Sequence, residues 1–163
     1  MLKAIVILFD LIAVAAWVNV VVQVGCAMKF GGSWVEFVQF PYRIAEPIVL
    51  RWRAASAIER ANRGAFTLHC VEEWSETTGS GRNRTTHLVH EELCSATWHL
   101  GQPRTFPLGS DLELRFEPLA GARPTALSAD KPVFWEFEVN LDLPGFDFKE
   151  TYLIPVFGGR KFV

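Results

Sequence analysis

The strongest constraint on the fold is a strict alternation of apolar and polar side chains in residues 132–148, PVFWEFEVNLDLPGFDF. The apolar parity carries Val133, Trp135, Phe137, Val139 and Leu141, and the opposite parity carries Phe134, Glu136, Glu138, Asn140 and Asp142. A period of two places successive side chains on opposite faces of a β-strand. The pattern therefore predicts a strand with a buried face and a solvated face. A Leu-Pro-Gly corner then leads into a closing strand, DFKETYLIPVF.

The same period runs through the chain from Ser33 onward. It predicts strands in SWVEFVQF, PIVLRWRA, AFTLHCVEEW, THLVHEELCSATWHL and RTFPLGSDLELRFEPL, in that order. The stretch ASAIERANRG alone has helical composition past residue 30, and its shortness predicts a loop or one turn. About seven or eight strands, each with one apolar face to bury, predict an all-β fold of two antiparallel sheets packed as a sandwich. The predicted sandwich domain spans residues 30–163, with its strands in 33–157 and with Trp135, Phe137 and Leu114 in its core.

The first 29 residues have a different composition. Residues 4–28 are almost entirely apolar and are interrupted only by Asp10, Asn19 and Gln23. Such a stretch, at ~1.5 Å per residue, is long enough to cross a hydrocarbon core of about 30 Å. Residues 1–29 are therefore predicted to be an N-terminal transmembrane anchor. Asn19 and Gln23, four residues apart, share a helix face that would contact a partner helix or be tolerated in the span.

Three alternatives to the anchor remain open. A cleaved signal peptide requires a shorter apolar run without Asp10, and a lipoprotein signal would end at Cys26. A buried helix of a soluble domain is the third. The flanking charges of Lys3, Lys29 and Arg43 nearly balance, and the lysine in the short N-terminal tail favours a sandwich domain outside the membrane.

The net charge of the chain bears on the class of partner that it can bind. The formal net charge of −2 provides no basic field, so a nucleic-acid partner is not expected.

The three cysteines are Cys26, Cys70 and Cys94. Cys70 and Cys94 fall on strands predicted to be neighbours, where an oxidising compartment would permit a disulfide. Two buried free thiols are the favoured interpretation.

Several residue clusters contain the side-chain types of chemical sites. His69, Cys70, His90 and Cys94 include metal-ligand types, but neighbours in a strand point to opposite faces, so the four do not converge. The acid pairs Glu72–Glu73 and Glu91–Glu92 are split in the same way and indicate a solvated strand face. Gly79, Ser80 and Gly81 fit a turn better than an anion site, and Asn83-Arg84-Thr85 matches a glycosylation triplet of low specificity. The sequence therefore assigns no catalytic, cofactor-binding or metal residue, and no cofactor.

Residues 111–156, DLELRFEPLAGARPTALSADKPVFWEFEVNLDLPGFDFKETYLIPV, resemble the arrestin-like β-sandwich pattern. The run from Trp135 to Val156 is also similar to the W-x-F-x-V…D-L-P-G-x-D-F…P-V ending of bacterial membrane proteins of unknown function. The resemblance implies an immunoglobulin- or arrestin-like sandwich and a single-pass inner-membrane setting. It implies no site residue, and the chain lacks the basic phosphate-reading cluster and the second sandwich of arrestins proper.

Two functions follow as hypotheses. The first is a membrane-anchored interaction or scaffold module without catalytic activity, which binds another membrane protein through a sheet edge or loops. The second is a small-ligand- or metal-binding accessory domain of a membrane enzyme complex, with the metal at the Cys/His strands.

Overall fold

A computed structural model describes residues 10–18, 20–21, 32–79, 84–145 and 147–159. Eleven strands lie in these residues: β1 Trp34–Phe37, β2 Tyr42–Arg43, β3 Ile48–Arg53, β4 Ile58–Ala61, β5 Arg63–Thr78, β6 Thr85–His99, β7 Arg104–Phe106, β8 Asp111–Phe116, β9 Val133–Asp142, β10 Phe148–Leu153 and β11 Val156–Phe157. A three-stranded sheet has the order β1-β3-β8, and a four-stranded sheet has the order β10-β9-β5-β6. All pairs within these two sheets are antiparallel. Two small sheets, β11-β2 and β4-β7, complete the fold.

The two larger sheets pack face to face through aromatic side chains. Trp52 of β3 meets Phe66 of β5 edge-on, with ring centroids 5.7 Å apart, and meets Phe148 of β10 at 6.0 Å. Phe116 of β8 meets Phe137 of β9 at 6.1 Å. Edge-to-face pairs at these distances are the favoured aromatic geometry and add to the hydrophobic gain of burial. The predicted sandwich is therefore confirmed.

The alternation in β8 and β9 assigns side chains to faces as predicted. Trp135, Phe137 and Leu114 are all buried in the core. The opposite face of β9 is more covered than predicted, since Glu136 and Glu138 are half-buried and only Asn140 is exposed. This follows from the central position of β9, because β5 and β10 flank it on either side.

The outer face of the three-stranded sheet is a cross-strand array of opposite charges. Arg53 Nε lies 2.6 Å from Asp111 Oδ1, and Arg51 Nη2 lies 3.1 Å from Glu113 Oε2. Glu36 contributes from β1, with its Oε2 3.4 Å from Arg51 Nη1. Alternating charge on this face keeps it in water while Leu112, Leu114 and Phe116 turn inward.

The segment 55–64 differs from its predicted loop or single turn. It contains β4, Ile58–Ala61, which pairs with β7 and buries Ile58 and Ala61. Local composition suggested a turn, but burial against the sandwich core stabilises an extended strand, as tertiary context often overrides propensity.

The predicted transmembrane helix over residues 4–28 is wrong, and with it the single-pass inner-membrane location. Residues 10–18 and 20–21 are helical, and among the described residues no helix is long and apolar enough to traverse a bilayer. Residues 4–9, 19 and 22–28, including Asn19, Gln23 and Cys26, lie outside the described part of the chain. The division between residues 29 and 30 stays a prediction.

Candidate interaction surface

Strand β6 forms one border of the four-stranded sheet and is the longest strand at a sheet border among the described residues. It runs for 15 residues, Thr85–His99, and in the described sheets it pairs only with β5. In an antiparallel pair, half of the backbone N–H and C=O groups of an edge strand point away from its neighbour. Most of its side chains are exposed or half-buried. We call this border the β6 edge.

Other edges of the two larger sheets are much shorter. Strand β10 on the far side of the same sheet has 6 residues and carries Lys149, and β1 and β8 have 4 and 6 residues. Natural proteins protect edges by shortness, lysine, proline or bulges. The β6 edge contains neither lysine nor proline and is interrupted only by a bulge at Leu93, where the register shifts between the pairs Cys70–Cys94 and Val71–Glu92.

The outer half of this hairpin extends past the end of β9. Strand β9 pairs with β5 from Asp142 opposite Arg63 to Val133 opposite Glu72, and a further backbone bond joins Glu73 N to Pro132 O at 2.9 Å. Beyond that bond, the strand segments 73–78 and 85–90 have each other as their only strand partner in the described sheets. At ~3.4 Å per residue, this two-stranded ribbon is roughly 20 Å long. It carries the exposed side chain of Leu88 and the half-buried Trp74, over which Lys131 Nζ lies 4.1 Å from the ring centroid.

Cys70 and Cys94 are direct register partners on β5 and β6, as their predicted strands implied. Both are free thiols. Burial raises the pKa of both thiols, and for Cys94 burial together with the adjacent Cys70 raises the pKa to about 11. Both side chains belong to the core side of the sheet, because Cys70 shares its face with Leu68 and Phe66.

Two histidines contact carboxylates on the outer face of the sheet. His69 Nδ1 is 3.2 Å from Glu92 Oε2, and His90 Nδ1 is 3.2 Å from Glu73 Oε2. Ser95 Oγ donates to Glu92 Oε1 at 2.6 Å, and this hydrogen bond, followed by His69, holds the pKa of the Glu92 carboxyl below its usual range. His69 and Cys70 are thus separated by the sheet, as expected. Within the described residues, no group of three or more Asp, Glu, His or Cys side chains is placed to hold a metal ion.

Glu72 differs from the solvated acid expected from the sequence. It is only 8% exposed, and Arg123 Nη1 from the loop between β8 and β9 pairs with its Oε1. Its register partner is Glu91, an arrangement of like charges that is unfavourable without compensation. Arg123 supplies that compensation, so the carboxylate has a structural partner and does not form a pair of acids suited to hydrolysis.

The predicted turn and the glycosylation triplet lie partly outside the described residues, because Ser80, Gly81 and Asn83 are not described. Gly79 has a φ of 90°, a left-handed value that glycine adopts without strain and that fits the predicted turn. Arg84 and Thr85 are exposed at the start of β6.

One polar cluster was not identified from the sequence. Ser33 Oγ donates to Glu150 Oε2 at 2.5 Å and contacts the Tyr152 hydroxyl, and Trp52 Nε1 donates to Ser33 Oγ at 3.0 Å. Burial, and then the hydrogen bond to Glu150, raise the pKa of Tyr152. The four residues are spread over more than a hundred positions of the sequence, so no local sequence motif contains them. Their mutual hydrogen bonds join the start of the sandwich to β10.

An open groove of about 700 Å³ lies at one end of the sandwich, beside the β2 segment. Its lining includes Phe40, Arg43 and Glu46, and Arg43 Nε is 3.9 Å from Glu46 Oε1. Phe40 also packs against Phe37, Tyr42 and Phe157. The lining thus contains the Arg43 cation, which is paired with Glu46, and the aromatic ring of Phe40. The described lining residues do not form a convergent set of polar groups.

No protein-family model matches the chain, and no curated protein matches it. Among solved structures, it is similar to the sporulation control protein Spo0M of Bacillus subtilis, with a TM-score of 0.53 and 13% sequence identity. The match covers 78% of this chain but 49% of Spo0M, so the chain spans about half the length of that protein. A likeness at this identity concerns the fold alone. The chain therefore has an arrestin-like β-sandwich fold, as its sequence resemblance implied, while its likeness to bacterial membrane proteins stays a prediction.

Proposed function

We propose that the chain is a non-catalytic interaction module that binds an extended segment of a partner protein along the β6 edge. The observation that carries this proposal is the 15-residue border strand that lacks lysine and proline. A partner strand added there would satisfy the outward N–H and C=O groups of β6, the mode known as β-augmentation. Backbone bonds would supply affinity, and the alternating side chains would supply selectivity.

The side chains of β6 indicate the chemistry of the partner segment. Leu88 and Trp98 are exposed apolar side chains on opposite faces of the strand, and His90, Glu91 and Glu92 lie between them, while His87 precedes Leu88. An extended segment with alternating apolar and polar residues would match this edge. The net charge of −2 favours a protein partner over a nucleic acid.

A non-catalytic role is supported by the pairing of the candidate chemical groups. His69 and His90 each contact a glutamate of the neighbouring strand, and Glu72 pairs with Arg123 of a loop. The name of Spo0M describes a control protein, which agrees with a regulatory use of the fold. The metal-binding alternative lacks support, since the described Cys and His side chains do not converge.

Two leucines provide a matched test of the β6 edge. Leu88 of β6 is 57% exposed, and Leu153 of the opposite edge strand β10 is 63% exposed. Full-length wild-type, Leu88→Lys and Leu153→Lys chains would serve as baits in the native cells, with captured proteins identified by mass spectrometry. Because lysine on an edge disfavours strand addition, we expect the partner to be retained by wild type and Leu153→Lys and to be reduced at least tenfold with Leu88→Lys.

Hydrogen–deuterium exchange on the purified complex then locates the contact. The proposal expects new amide protection within residues 85–99. Protection confined to β10 or to loops, or equal capture by both lysine variants, would refute the β6 edge as the binding surface.

A further inference from the structure

Cys70 and Cys94 lie directly opposite each other on adjacent antiparallel strands. Cα atoms of such partners are about 4.5–5.5 Å apart, within the roughly 4.4–6.8 Å that a disulfide spans. The two side chains lie on the same face of the sheet, because the residues are direct register partners. A disulfide can therefore form with local movement of the side chains.

The bulge at Leu93 adds freedom at this position. It breaks the β5–β6 ladder immediately beside the pair, between Cys70–Cys94 and Val71–Glu92. A bulged strand is locally bent and is not fixed on that side by regular ladder bonds. Cys94 can therefore approach Cys70 without shifting the register of the rest of β6.

The two thiols differ in access. Cys94 is half-buried on the border strand, whereas Cys70 is fully buried and donates its S–H to the carbonyl of Arg123 at an S···O distance of 3.7 Å. The same carbonyl accepts a second hydrogen bond from Trp135 Nε1 at 2.8 Å. If Cys70 lost its S–H, the Arg123 carbonyl would therefore keep the hydrogen bond from Trp135 Nε1.

We infer that Cys70 and Cys94 are a reversible thiol–disulfide site that exchanges with small disulfides of the glutathione type. Cys94, as the accessible thiol, loses its proton and attacks one sulfur of the oxidant, releasing one thiol and forming a mixed disulfide. Cys70 then loses its proton and attacks the Cys94 sulfur, which forms the Cys70–Cys94 bond and releases the second thiol. The protein gives up two electrons and two protons, and the small disulfide takes them up as two thiols.

The bond would attach the border strand covalently to the middle of its sheet. The bond would hold residue 94 against β5, so β6 could no longer separate from β5 at this position. This inference rests on the cysteine pair and holds whether or not the β6 edge binds a partner.

The test uses the full chain with Cys26→Ser, which leaves Cys70 and Cys94 as its thiols. The folded protein is incubated with oxidised glutathione and analysed by intact mass and peptide mapping, then returned to reduced glutathione. We expect loss of two hydrogens, a peptide linking Cys70 to Cys94, and full recovery of both thiols. With Cys70→Ser or Cys70→Ala added, a glutathione adduct should persist on Cys94, because the resolving thiol is absent.

Two results would overturn the inference. One is a lasting glutathione adduct on Cys94 while Cys70 is present. The other is the absence of oxidation in the folded chain under buffer conditions that oxidise the same chain in urea. Circular dichroism of each variant confirms that the comparison concerns folded protein.

Discussion

At the scale of single residues, Cys94 shows how a strand pairing changes side-chain chemistry. Burial, and then the neighbouring Cys70, raise the pKa of its thiol to about 11. The thiolate is the form that attacks alkylating reagents, so a raised pKa lowers the reactive fraction of the thiol at neutral pH. We expect Cys94 to react with iodoacetamide on the order of a hundredfold more slowly than an ordinary cysteine, whose pKa is about 8.5.

The measurement is the alkylation rate of the Cys94 peptide as a function of pH in the Cys26→Ser chain. The rate should keep rising toward a pH of about 11, and in urea its midpoint should fall to about 8.5. A folded-state midpoint near 8.5 would show that Cys94 is not held in this environment.

Glu92 has a pKa shifted in the opposite direction. The Ser95 hydroxyl, and then His69, lower the pKa of its carboxyl in the folded state. A depressed folded pKa contributes stability above the unfolded carboxyl pKa, and this stability is lost as pH falls through the folded value. Because Glu92 is about half exposed, the contribution is screened by water.

Ser95→Ala should raise the Glu92 pKa toward its ordinary value, because the strongest donor is removed. A carbon-13 NMR titration of the glutamate carboxyl carbons would measure it. Ser75→Ala on the same strand pair is the control and should leave Glu92 unchanged. An unaltered Glu92 titration in Ser95→Ala would mean that the hydroxyl does not set this pKa.

At the scale of elements, the β5–β6 hairpin has two parts of different stability. Residues 65–72 of β5 lie between β6 and β9, whereas residues 73–78 have residues 85–90 as their only strand partner. An isolated two-stranded ribbon is marginally stable in water, and local opening concentrates where few buried contacts exist. We expect amide hydrogens of the ribbon to exchange at least tenfold faster than those of residues 66–70.

Native-state hydrogen–deuterium exchange of the full chain, resolved by peptide, tests this difference. Strand β9 is the internal reference, because both of its neighbours are present. Equal protection along all of β5 would contradict the division of the hairpin into two parts.

At the scale of the whole molecule, the core between the sheets carries most of the stability. Trp135 is 2% exposed, lies in the central strand β9 and donates Nε1 to the Arg123 carbonyl. Trp135→Ala removes this bond and leaves a large cavity, so the free energy of unfolding should fall by about 3–5 kcal/mol. Chemical denaturation monitored by circular dichroism would measure the loss.

Leu153→Ala is the matched control for Trp135→Ala. Its side chain is exposed on β10, so the free energy of unfolding should change by less than about 0.5 kcal/mol. Similar losses from both variants would mean that the face assignment of the four-stranded sheet is incorrect.

The sequence by itself determined the all-β sandwich and the faces of β8 and β9. Leu114, Trp135 and Phe137 were predicted to be buried from alternation alone, and the structure confirms this. The prediction succeeds because the side-chain direction in a strand depends on parity, which is a local property. The hydrophobic composition of residues 4–28, in contrast, predicts a transmembrane helix, and this prediction is wrong, since no helix of the described residues is long and apolar enough to cross a membrane.

Only the tertiary structure decided which groups meet. Arg123 reaches Glu72 across 51 positions, and Ser33 meets Tyr152 across 119. The sheet order β10-β9-β5-β6 leaves β6 at the border, and the bulge at Leu93 sets Cys94 opposite Cys70. Strand order and register depend on the packing of segments far apart in the chain, so local periodicity assigns a side chain to a face but does not specify its neighbour.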